Sequence, residues 1–279
     1  VEKNNQWKGE FWIKSLSREV IPTLTTIAAV NDEGSKHRRY VVTMLDVADL
    51  KDSEDQLKFL TDYDQLTLLP NRKRFLRHLK DSLSKAADSD DELAVIYIDL
   101  DGFKKINDAI GHDIGDQVLT QTAQRLKHLP LNSKLLCRWG GDEFVIVLSG
   151  QLDESLATKK ANEILTVMRD PITLLNNELI VLTSIGIAMS INGQVNADRL
   201  LQHADLAMYQ AKNNGRNTFS LFLPQMEKEA QLHSWIENEL PNAMQHHQLY
   251  LQYQPKVCCD TNKIVGFEAL LRWQHPEHG

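Results

Sequence analysis

The stretch LLCRWGGDEFVIVL, residues 135–148, sets two short apolar runs on either side of a pair of glycines. Such runs around a Gly-Gly turn are typical of a β-hairpin. Asp142 and Glu143 follow the glycines directly, so the predicted hairpin carries two carboxylates at its tip. Because glycine has no side chain, Gly140 and Gly141 would let a ligand approach the backbone of this tip closely.

A second stretch, LAVIYIDL at residues 93–100, is almost wholly apolar and ends in acidic residues. This pattern is typical of a strand that is buried on both faces. Asp99 and Asp101 stand at its carboxyl end. If this strand pairs with the hairpin, both acids crowd together with Asp142 and Glu143.

Crowded carboxylates repel one another unless a divalent cation neutralises them, and ligands that are all oxygen favour Mg²⁺ or Mn²⁺. The pattern therefore predicts a metal-dependent phosphoryl-transfer site with two ions. The alternative is that these acids lie apart, at ordinary solvated strand ends and turns.

Outward from these strands, apolar residues at helical spacing predict helices, and short apolar runs predict further strands. A helix is expected from the turn at 68–72, where Pro70 can start it, to about 87, with further helices at about 118–129, 154–169 and about 198–213 and a second hairpin around Asn176 and Asn177. Helices mixed with antiparallel hairpins indicate an α+β fold, in which helices pack on one sheet.

The flanks of this unit have patterns of their own. Residues 20–30 and 40–47 are rich in β-branched residues and predict the antiparallel end of a small sheet. Residues 49–62 predict a helical linker, and 227–248 predict a further helix. The strand pattern at 249–279 is too short to close a domain, so we expect a chain that is part of something longer.

The composition excludes several classes of protein. Of 279 residues, 25% are charged and 42% are hydrophobic, which is typical of a globular protein and not of a disordered chain. The net charge of −7 argues against a nucleic-acid polymer as partner, because such binding needs a basic surface. Three cysteines without a CxxC pair favour a reducing, cytoplasmic location. No apolar run approaches the length of about 18 residues that a membrane span needs.

The string RWGGDEF, Arg138–Phe144, resembles the signature of the GGDEF domain family, the diguanylate cyclases. Asp64–Arg72 resembles the family's opening motif, Ile98–Asp116 its strand-turn-helix, and Ala204–Asn217 its last helix. The resemblance implies a nucleotidyl-cyclase-like α+β fold with a ferredoxin-like core, a central antiparallel sheet with helices packed on it. We expect this domain at 63–222, after the helical linker at 49–62.

The resemblance also implies a reaction, in which two GTP condense to cyclic di-GMP and two pyrophosphates. Asp99, the Leu100 carbonyl and Asp142 would hold the metal. Asp142 would also be the base for the 3′-hydroxyl, with Glu143 supporting metal binding. Lys104 would stabilise charge on the phosphates.

The same resemblance implies a substrate site. It would comprise the backbone of Gly102 and Phe103, a guanine pocket of Asn107, His112 and Asp116, the tip glycines Gly140 and Gly141, and the phosphate-binding cations Lys212 and Arg216. More ordinary interpretations exist for several of these residues. Asn107 and Asp116 could cap or solvate a helix end, and Lys212 and Arg216 could complement a helix C-terminus.

Two departures from the family pattern have consequences. Leu68 stands where the opening motif usually has glycine, which would alter the turn. Leu131 and Lys134 stand where the family's product-inhibition site has Arg and Asp. Without that pair, bidentate recognition of the product is lost, so we expect no feedback inhibition through this site.

The flanks resemble other families. Residues 1–48 resemble the last strands of a PAS sensor domain, and 249–279, after a helical linker at 223–248, resemble the start of an EAL domain, the cyclic di-GMP phosphodiesterases. The latter resemblance rests on YQPK at 253–256 and EALLRW at 268–273. It implies that Glu268 is a metal ligand. The remaining ligands and the catalytic lysine would lie beyond Gly279, so we expect no hydrolysis by this chain.

Together these patterns predict the cyclase segment of a PAS–GGDEF–EAL signalling protein. Because each GTP attacks the other, catalysis would need two sites face to face, and so at least a transient homodimer. The sensor and linker would set whether the two half-sites meet. Two other functions stay open: a catalytically silent GTP-binding module that regulates an attached EAL domain, and a structural dimerisation segment that binds no ligand.

Overall fold

The structure, a computed structural model, describes residues 6–14, 18–31, 38–89, 91–130, 134–174, 177–190 and 195–277. In chain order the elements are β1 Gln6–Lys14, β2 Val20–Asn31, β3 Arg38–Asp46, α1 Ala48–Asp62, α2 Arg72–Ala87, β4 Glu92–Leu100, α3 Phe103–Ile110, α4 His112–His128, β5 Lys134–Gly140, β6 Glu143–Gly150, α5 Glu154–Met168, β7 Ile172–Leu174, β8 Asn177–Leu179, β9 Thr183–Ser190, α6 Ala197–Asn213, β10 Phe219–Leu221, α7 Pro224–Gln245, β11 Leu249–Val257 and β12 Ile264–Trp273.

A five-stranded sheet in the order β10-β9-β4-β6-β5 forms the centre of the fold. Strands β4, β5, β6 and β9 pair antiparallel, as expected, and β5 and β6 form the predicted hairpin. The edge strand β10 pairs parallel to β9, so the sheet is mixed and the expectation of a purely antiparallel sheet is wrong there. The α+β class is confirmed.

Strand β4 is buried on both faces because helices cover both sides of the sheet. Successive side chains of a strand point to opposite faces. Ile96 and Ile98 pack in a core with α4 and α5, whereas Val95 and Tyr97 pack in a second core with α2 and α6. The near-continuous apolar run at 93–100 follows from this double burial, and full burial of each such side chain contributes about 1.5–3 kcal/mol.

The helices largely follow the predicted bounds. Asn71 caps α2 by accepting the N–H of Arg74 at 3.1 Å. The helix expected at about 118–129 begins earlier, at His112. A separate short helix, α3, precedes it, and Gly111 divides the two with φ of 92°. Glycine adopts this left-handed backbone without the steric cost that other residues incur.

The second hairpin is confirmed only in part. Strands β7 and β8 pair antiparallel in a small sheet of their own. The apolar run after Asn177, expected to form one long second strand of this hairpin, instead forms two strands, β8 and β9. Strand β9 belongs to the central sheet. Residue Asn176 of the expected turn lies outside the described residues.

The flanking elements largely have the expected secondary structure. Strands β2 and β3 correspond to the expected runs and form an antiparallel sheet with β1, which was not expected, and helix α1 follows at the position of the expected linker. Helix α7 leads to the antiparallel pair of β11 and β12. Within the ranges that the structure describes, no helix has both the length and the apolar character needed to cross a membrane.

The turn before α2 contains a strained residue. Leu68 has φ of 54°, in the left-handed region, and its side chain is 59% exposed. A side chain in this conformation costs roughly 1–2 kcal/mol, while glycine increases the entropy of the unfolded chain by an amount worth roughly 0.4–1 kcal/mol. We therefore expect Leu68→Gly to raise the free energy of unfolding by about 0.5 kcal/mol, as measured by urea denaturation.

Leu232→Gly is the matched control, since Leu232 is similarly exposed, at 55%, but lies inside helix α7. It should lower the free energy of unfolding by about 1 kcal/mol, because glycine is a poor helix former. An equal loss of stability in both variants would contradict the strain at Leu68.

Candidate functional site

The acidic residues of the two central strands meet at one edge of the sheet. Asp99 at the end of β4 faces Glu143 at the start of β6 in the register of the antiparallel pair. The N–H of Leu100 donates to the backbone oxygen of Asp142 at 3.3 Å. Pairing of the strand with the hairpin, the condition on which the predicted cluster depended, is therefore met.

Burial and mutual repulsion raise the pKa of two of these acids. Asp99 is 7% exposed, and desolvation is the largest cause of its raised pKa. The charges of Asp142 and Asp101 raise the pKa of Asp99 further, whereas the ammonium of Lys212, with Nζ 2.7 Å from Oδ2 of Asp99, opposes the shift.

Glu143 has a similar environment. Desolvation raises its pKa, as do the charges of Asp205, Asp99 and Asp142. The hydroxyl of Tyr97 donates to Oε2 of Glu143 at 3.0 Å and opposes this shift, because the bond stabilises the ionised carboxylate. Negative charge is thus concentrated at a partly desolvated edge.

The donor set at this edge fits a hard divalent cation. The carboxylates of Asp99 and Asp142 and the carbonyl of Leu100 are all oxygen ligands, which Mg²⁺ and Mn²⁺ prefer. A bound cation would also relieve the repulsion that raises the pKa of Asp99. Among the described residues, no three His, Cys, Asp or Glu side chains form a ready-made metal cluster.

Asp101 lies near Asp99, as expected, but its carboxylate is engaged elsewhere. Oδ1 accepts the hydroxyl of Ser184 at 2.7 Å, and Oδ2 accepts the backbone N–H of Asn217 at 3.0 Å. The charge of Asp101 still acts on Asp99, so these acids are close together as expected, but Asp101 makes hydrogen bonds that the sequence did not predict. Asp99, Asp142 and Glu143 interact at the strand ends, while Asp101 ties the sheet to the segment after α6.

The two expected phosphate-binding cations lie beside these acids. Lys212, in the last turn of α6, contacts Asp99 as described above, and Nε of Arg216 lies 3.9 Å from Oδ1 of Asp101. The Arg216 side chain is 62% exposed. Each cation therefore lies within ion-pair distance of an acid at this edge of the sheet.

The start of α3 provides backbone donors beside the acids. Gly102 is the N-cap residue with φ of 75°, and the first N–H groups of a helix have no partner within it. The Phe103 side chain is buried in the core, 8% exposed, so its backbone is the part available to a ligand. Lys104 is exposed at the next position.

One of the three residues expected to bind guanine, Asn107, has an unsatisfied acceptor. Oδ1 of Asn107 is buried and has no hydrogen-bond partner. It lies directly against Gly115, where an added Cβ would be 1.9 Å from it. His112 and Asp116 are exposed at the start of α4. A buried acceptor without a partner costs about 1–3 kcal/mol.

Arg138 holds the hairpin tip, a role that sequence reasoning missed. Its Nη2 and Nε donate to the backbone oxygen of Gly141 at 2.8 and 3.1 Å, and its Nη1 donates to the carboxylate of Asp64 at 3.1 and 3.2 Å. Burial would raise the pKa of Asp64, but hydrogen bonds from Thr67 and the charge of Arg138 lower it overall. Both residues lie in motifs that resemble the family, but nothing in the sequence indicates that Arg138 and Asp64 contact each other.

The cavity beside the hairpin tip is not lined by Asp99, Asp142 or Glu143. It has a volume of about 670 Å³ and lies at the start of α2, lined in part by Arg72, Lys73, Trp139 and Gly140. The Arg72 guanidinium stacks on the Trp139 ring, with its carbon 4.6 Å from the ring centroid. The candidate site is defined by its charged groups and not by the volume of a pocket.

Comparison with known protein families gives two matches. Residues 61–218 match the family described as diguanylate cyclase, GGDEF domain, and residues 237–279 match the EAL domain. The PAS resemblance of residues 1–48 has no counterpart in these two matches. Leu131, one of the two departures at the product-inhibition position, lies outside the described residues, so the expected absence of feedback inhibition stays a prediction.

Curated relatives and solved structures agree with these matches. The chain is 37% identical over 217 residues to the bifunctional diguanylate cyclase/cyclic di-GMP phosphodiesterase MucR of Pseudomonas aeruginosa, covering 78% of this chain and 32% of that protein. It is 32% identical over 275 residues to the cyclic di-GMP phosphodiesterase PdeR of Escherichia coli, covering 99% of this chain and 41% of that protein. The chain thus spans less than half the length of these relatives.

The GGDEF domain of YfiN from Pseudomonas aeruginosa has a similar structure, with a TM-score of 0.57 and 36% identity. The match covers 61% of this chain and 99% of that domain. Two further GGDEF-domain structures that match this chain are described as having cyclic di-GMP as the bound or interacting ligand.

Proposed function

This chain belongs to the GGDEF family and carries a GGDEF domain followed by a short EAL segment, and from this premise we propose that it is a diguanylate cyclase. The observation that carries the proposal is the meeting of Asp99 with the Asp142–Glu143 tip, beside Lys212. Family membership places the chain in cyclic di-GMP metabolism. Our proposal goes further and assigns the synthesis of cyclic di-GMP to this chain.

In the proposed reaction, the 3′-hydroxyl oxygen of each GTP attacks the α-phosphorus of the other. The bond from that phosphorus to the bridging oxygen breaks, and pyrophosphate leaves with the electron pair. Asp142 accepts the proton of the hydroxyl. Two such steps use two GTP and give one cyclic di-GMP and two pyrophosphates, which requires two copies of the site face to face.

The remaining residues orient the substrate and stabilise its charge. Asn107 and Asp116 accept the N–H groups of guanine, and His112 lines the same pocket. The backbone N–H groups of Gly102 and Phe103 bind phosphate oxygens, with Lys104, Lys212 and Arg216 supplying positive charge. Mg²⁺ or Mn²⁺, held by Asp99, the Leu100 carbonyl and Asp142, would neutralise phosphate charge and lower the pKa of the attacking hydroxyl.

The flanking segments complete the proposal. We assign residues 1–48 to a PAS-like sensor, 49–62 and 223–248 to helical linkers, 63–222 to the cyclase domain and 249–279 to the start of an EAL domain. The linker helix would set whether two half-sites meet, and the reaction would take place in the cytoplasm. Because the chain spans less than half of its curated relatives, the activity of a whole protein of this kind is part of the proposal.

A second candidate function is a GTP-binding module that regulates the EAL domain without making product. It is supported by the match to PdeR, which covers 99% of this chain and is named a cyclic di-GMP phosphodiesterase. In this case the intact acids would bind GTP and metal, but two half-sites would not align.

Incubation of the purified chain with GTP and Mg²⁺, followed by chromatography of the nucleotides and by calorimetry, separates these functions. A cyclase gives cyclic di-GMP. A silent module binds GTP and returns it intact. If GTP with Mg²⁺ causes neither a heat of binding nor a change in melting temperature, both proposals are wrong, and a structural role would remain.

A further inference from the structure

Asp101 joins three segments that are distant in the sequence. It follows β4 directly, its Oδ1 accepts the hydroxyl of Ser184 in β9, and its Oδ2 accepts the N–H of Asn217 after α6. The Asp101 side chain is only 6% exposed. A buried carboxylate is costly unless hydrogen bonds satisfy it, so these contacts are integral to the position of the group.

The segment that Asp101 holds has an unusual backbone. Arg216 and Asn217 are consecutive residues with φ of 63° and 47°, both in the left-handed region. Such a conformation costs roughly 1–2 kcal/mol for a residue such as arginine and less for asparagine. It persists only where the surroundings enforce it, and the N–H of Asn217 is held by Asp101.

This turn fixes the positions of Lys212 and Arg216, the two cations of the candidate site. The N–H of Arg216 donates to the oxygen of Ala211 at 3.2 Å and so ties the turn to the last turn of α6, which contains Lys212 and ends at Asn213. On the other side of the turn, the oxygen of Thr218 accepts the N–H of Ile185 at 3.0 Å. The turn is therefore hydrogen-bonded to α6 on one side and to β9 on the other. The side chain of Arg216, which lies in this turn, is beside Asp101.

We propose that Asp101 is a positioning residue for phosphate binding and not a metal ligand. It acts through Arg216. Its buried carboxylate holds the left-handed turn at 216–217 and keeps the exposed guanidinium of Arg216 directed at the site. This inference rests on the proposed function in one respect, which is that the phosphates of GTP bind beside Lys212 and Arg216.

Asp101→Asn tests the proposal, because the amide keeps the shape but loses the charge and one acceptor. Calorimetry would measure its binding of GTP and of inorganic tripolyphosphate. Tripolyphosphate has no guanine and therefore reports on the phosphate-binding cations alone. We expect both dissociation constants to rise about tenfold. The control Asp81→Asn, at an exposed position on α2, should change neither.

Two comparisons separate positioning from other roles. In an Arg216→Ala background, Asp101→Asn should weaken binding by no more than about twofold, because its effect passes through Arg216. The dissociation constant of Mn²⁺ without nucleotide, measured by electron paramagnetic resonance, should rise strongly in Asp99→Asn and stay within about twofold of the wild-type value in Asp101→Asn.

A rise in the Mn²⁺ dissociation constant equal to that of Asp99→Asn would show that Asp101 is a metal ligand and would overturn the inference. A full tenfold loss in the Arg216→Ala background would overturn it as well. If Asp101→Asn does not fold, Ser184→Ala takes its place, with an expected loss of about threefold that disappears in the Arg216→Ala background.

If the wild-type chain binds tripolyphosphate but not GTP, the proposed function is contradicted and the inference is not. The inference is then tested by the effect of Asp101→Asn on the dissociation constant of tripolyphosphate. Failure to bind either probe would overturn both.

Discussion

Asp142→Ala should reduce cyclic di-GMP formation by at least about a thousandfold, because one carboxylate would be lost both as metal ligand and as base. The fold should be unaffected, since the contact of Asp142 with Leu100 uses its backbone oxygen. Removal of this charge also removes a repulsion that raises the pKa of Asp99. The free energy of unfolding at neutral pH should therefore be unchanged or slightly higher, as measured by urea denaturation.

Asp81→Ala provides the matched control, since it removes an exposed aspartate of α2 that is outside the site. Its rate of product formation should equal that of the wild-type chain. A similar rate in Asp142→Ala and Asp81→Ala would mean that Asp142 has no part in the chemistry. A large loss of stability in Asp142→Ala would attribute its inactivity to the fold instead.

Gly115→Ala should weaken GTP binding by about 10–100-fold, although residue 115 needs no contact with the nucleotide. A Cβ at this position would lie 1.9 Å from Oδ1 of Asn107 and 3.2 Å from Cζ of Phe103. The amide of Asn107 would have to move, and the guanine would lose its hydrogen-bond partner. Calorimetry with GTP and with ATP should show the preference for GTP shrinking.

The double variant Asn107→Ala/Gly115→Ala tests this reason directly. With the Asn107 amide gone, the new methyl group has space, so Gly115→Ala should then change GTP affinity by no more than about twofold. An undiminished loss in that background would show that Gly115 acts by a route other than Asn107.

The position of the acids could be predicted from the sequence because it depends on regular structure. An apolar run ending in acids specifies a buried strand, and glycines between apolar runs specify a hairpin. Pairing of these two elements then places Asp99 beside the hairpin tip, as the structure has it. The parallel pairing of β10 was not predictable in the same way, since Phe219–Leu221 has only three residues.

The contacts that support the candidate site could not be predicted from patterns in the sequence. Asp101 and Asn217 are 116 residues apart, and Arg138 and Asp64 are 74 apart. Single polar residues carry no periodicity, so their partners depend on tertiary packing. The reason for a glycine at position 115 could not be predicted either. A glycine within a helix costs about 1 kcal/mol relative to alanine. The close approach of Asn107, which leaves no space for a Cβ at this position, is visible only in the folded chain.

The most direct test of the proposed cyclase is a mass balance on one reaction, in which GTP, pyrophosphate and cyclic di-GMP are quantified over time with Mg²⁺. We predict two GTP consumed and two pyrophosphates released for each cyclic di-GMP, at a rate per chain that rises with protein concentration, because two copies must meet. GTP left intact, or converted to GDP and phosphate without cyclic di-GMP, would contradict the proposal.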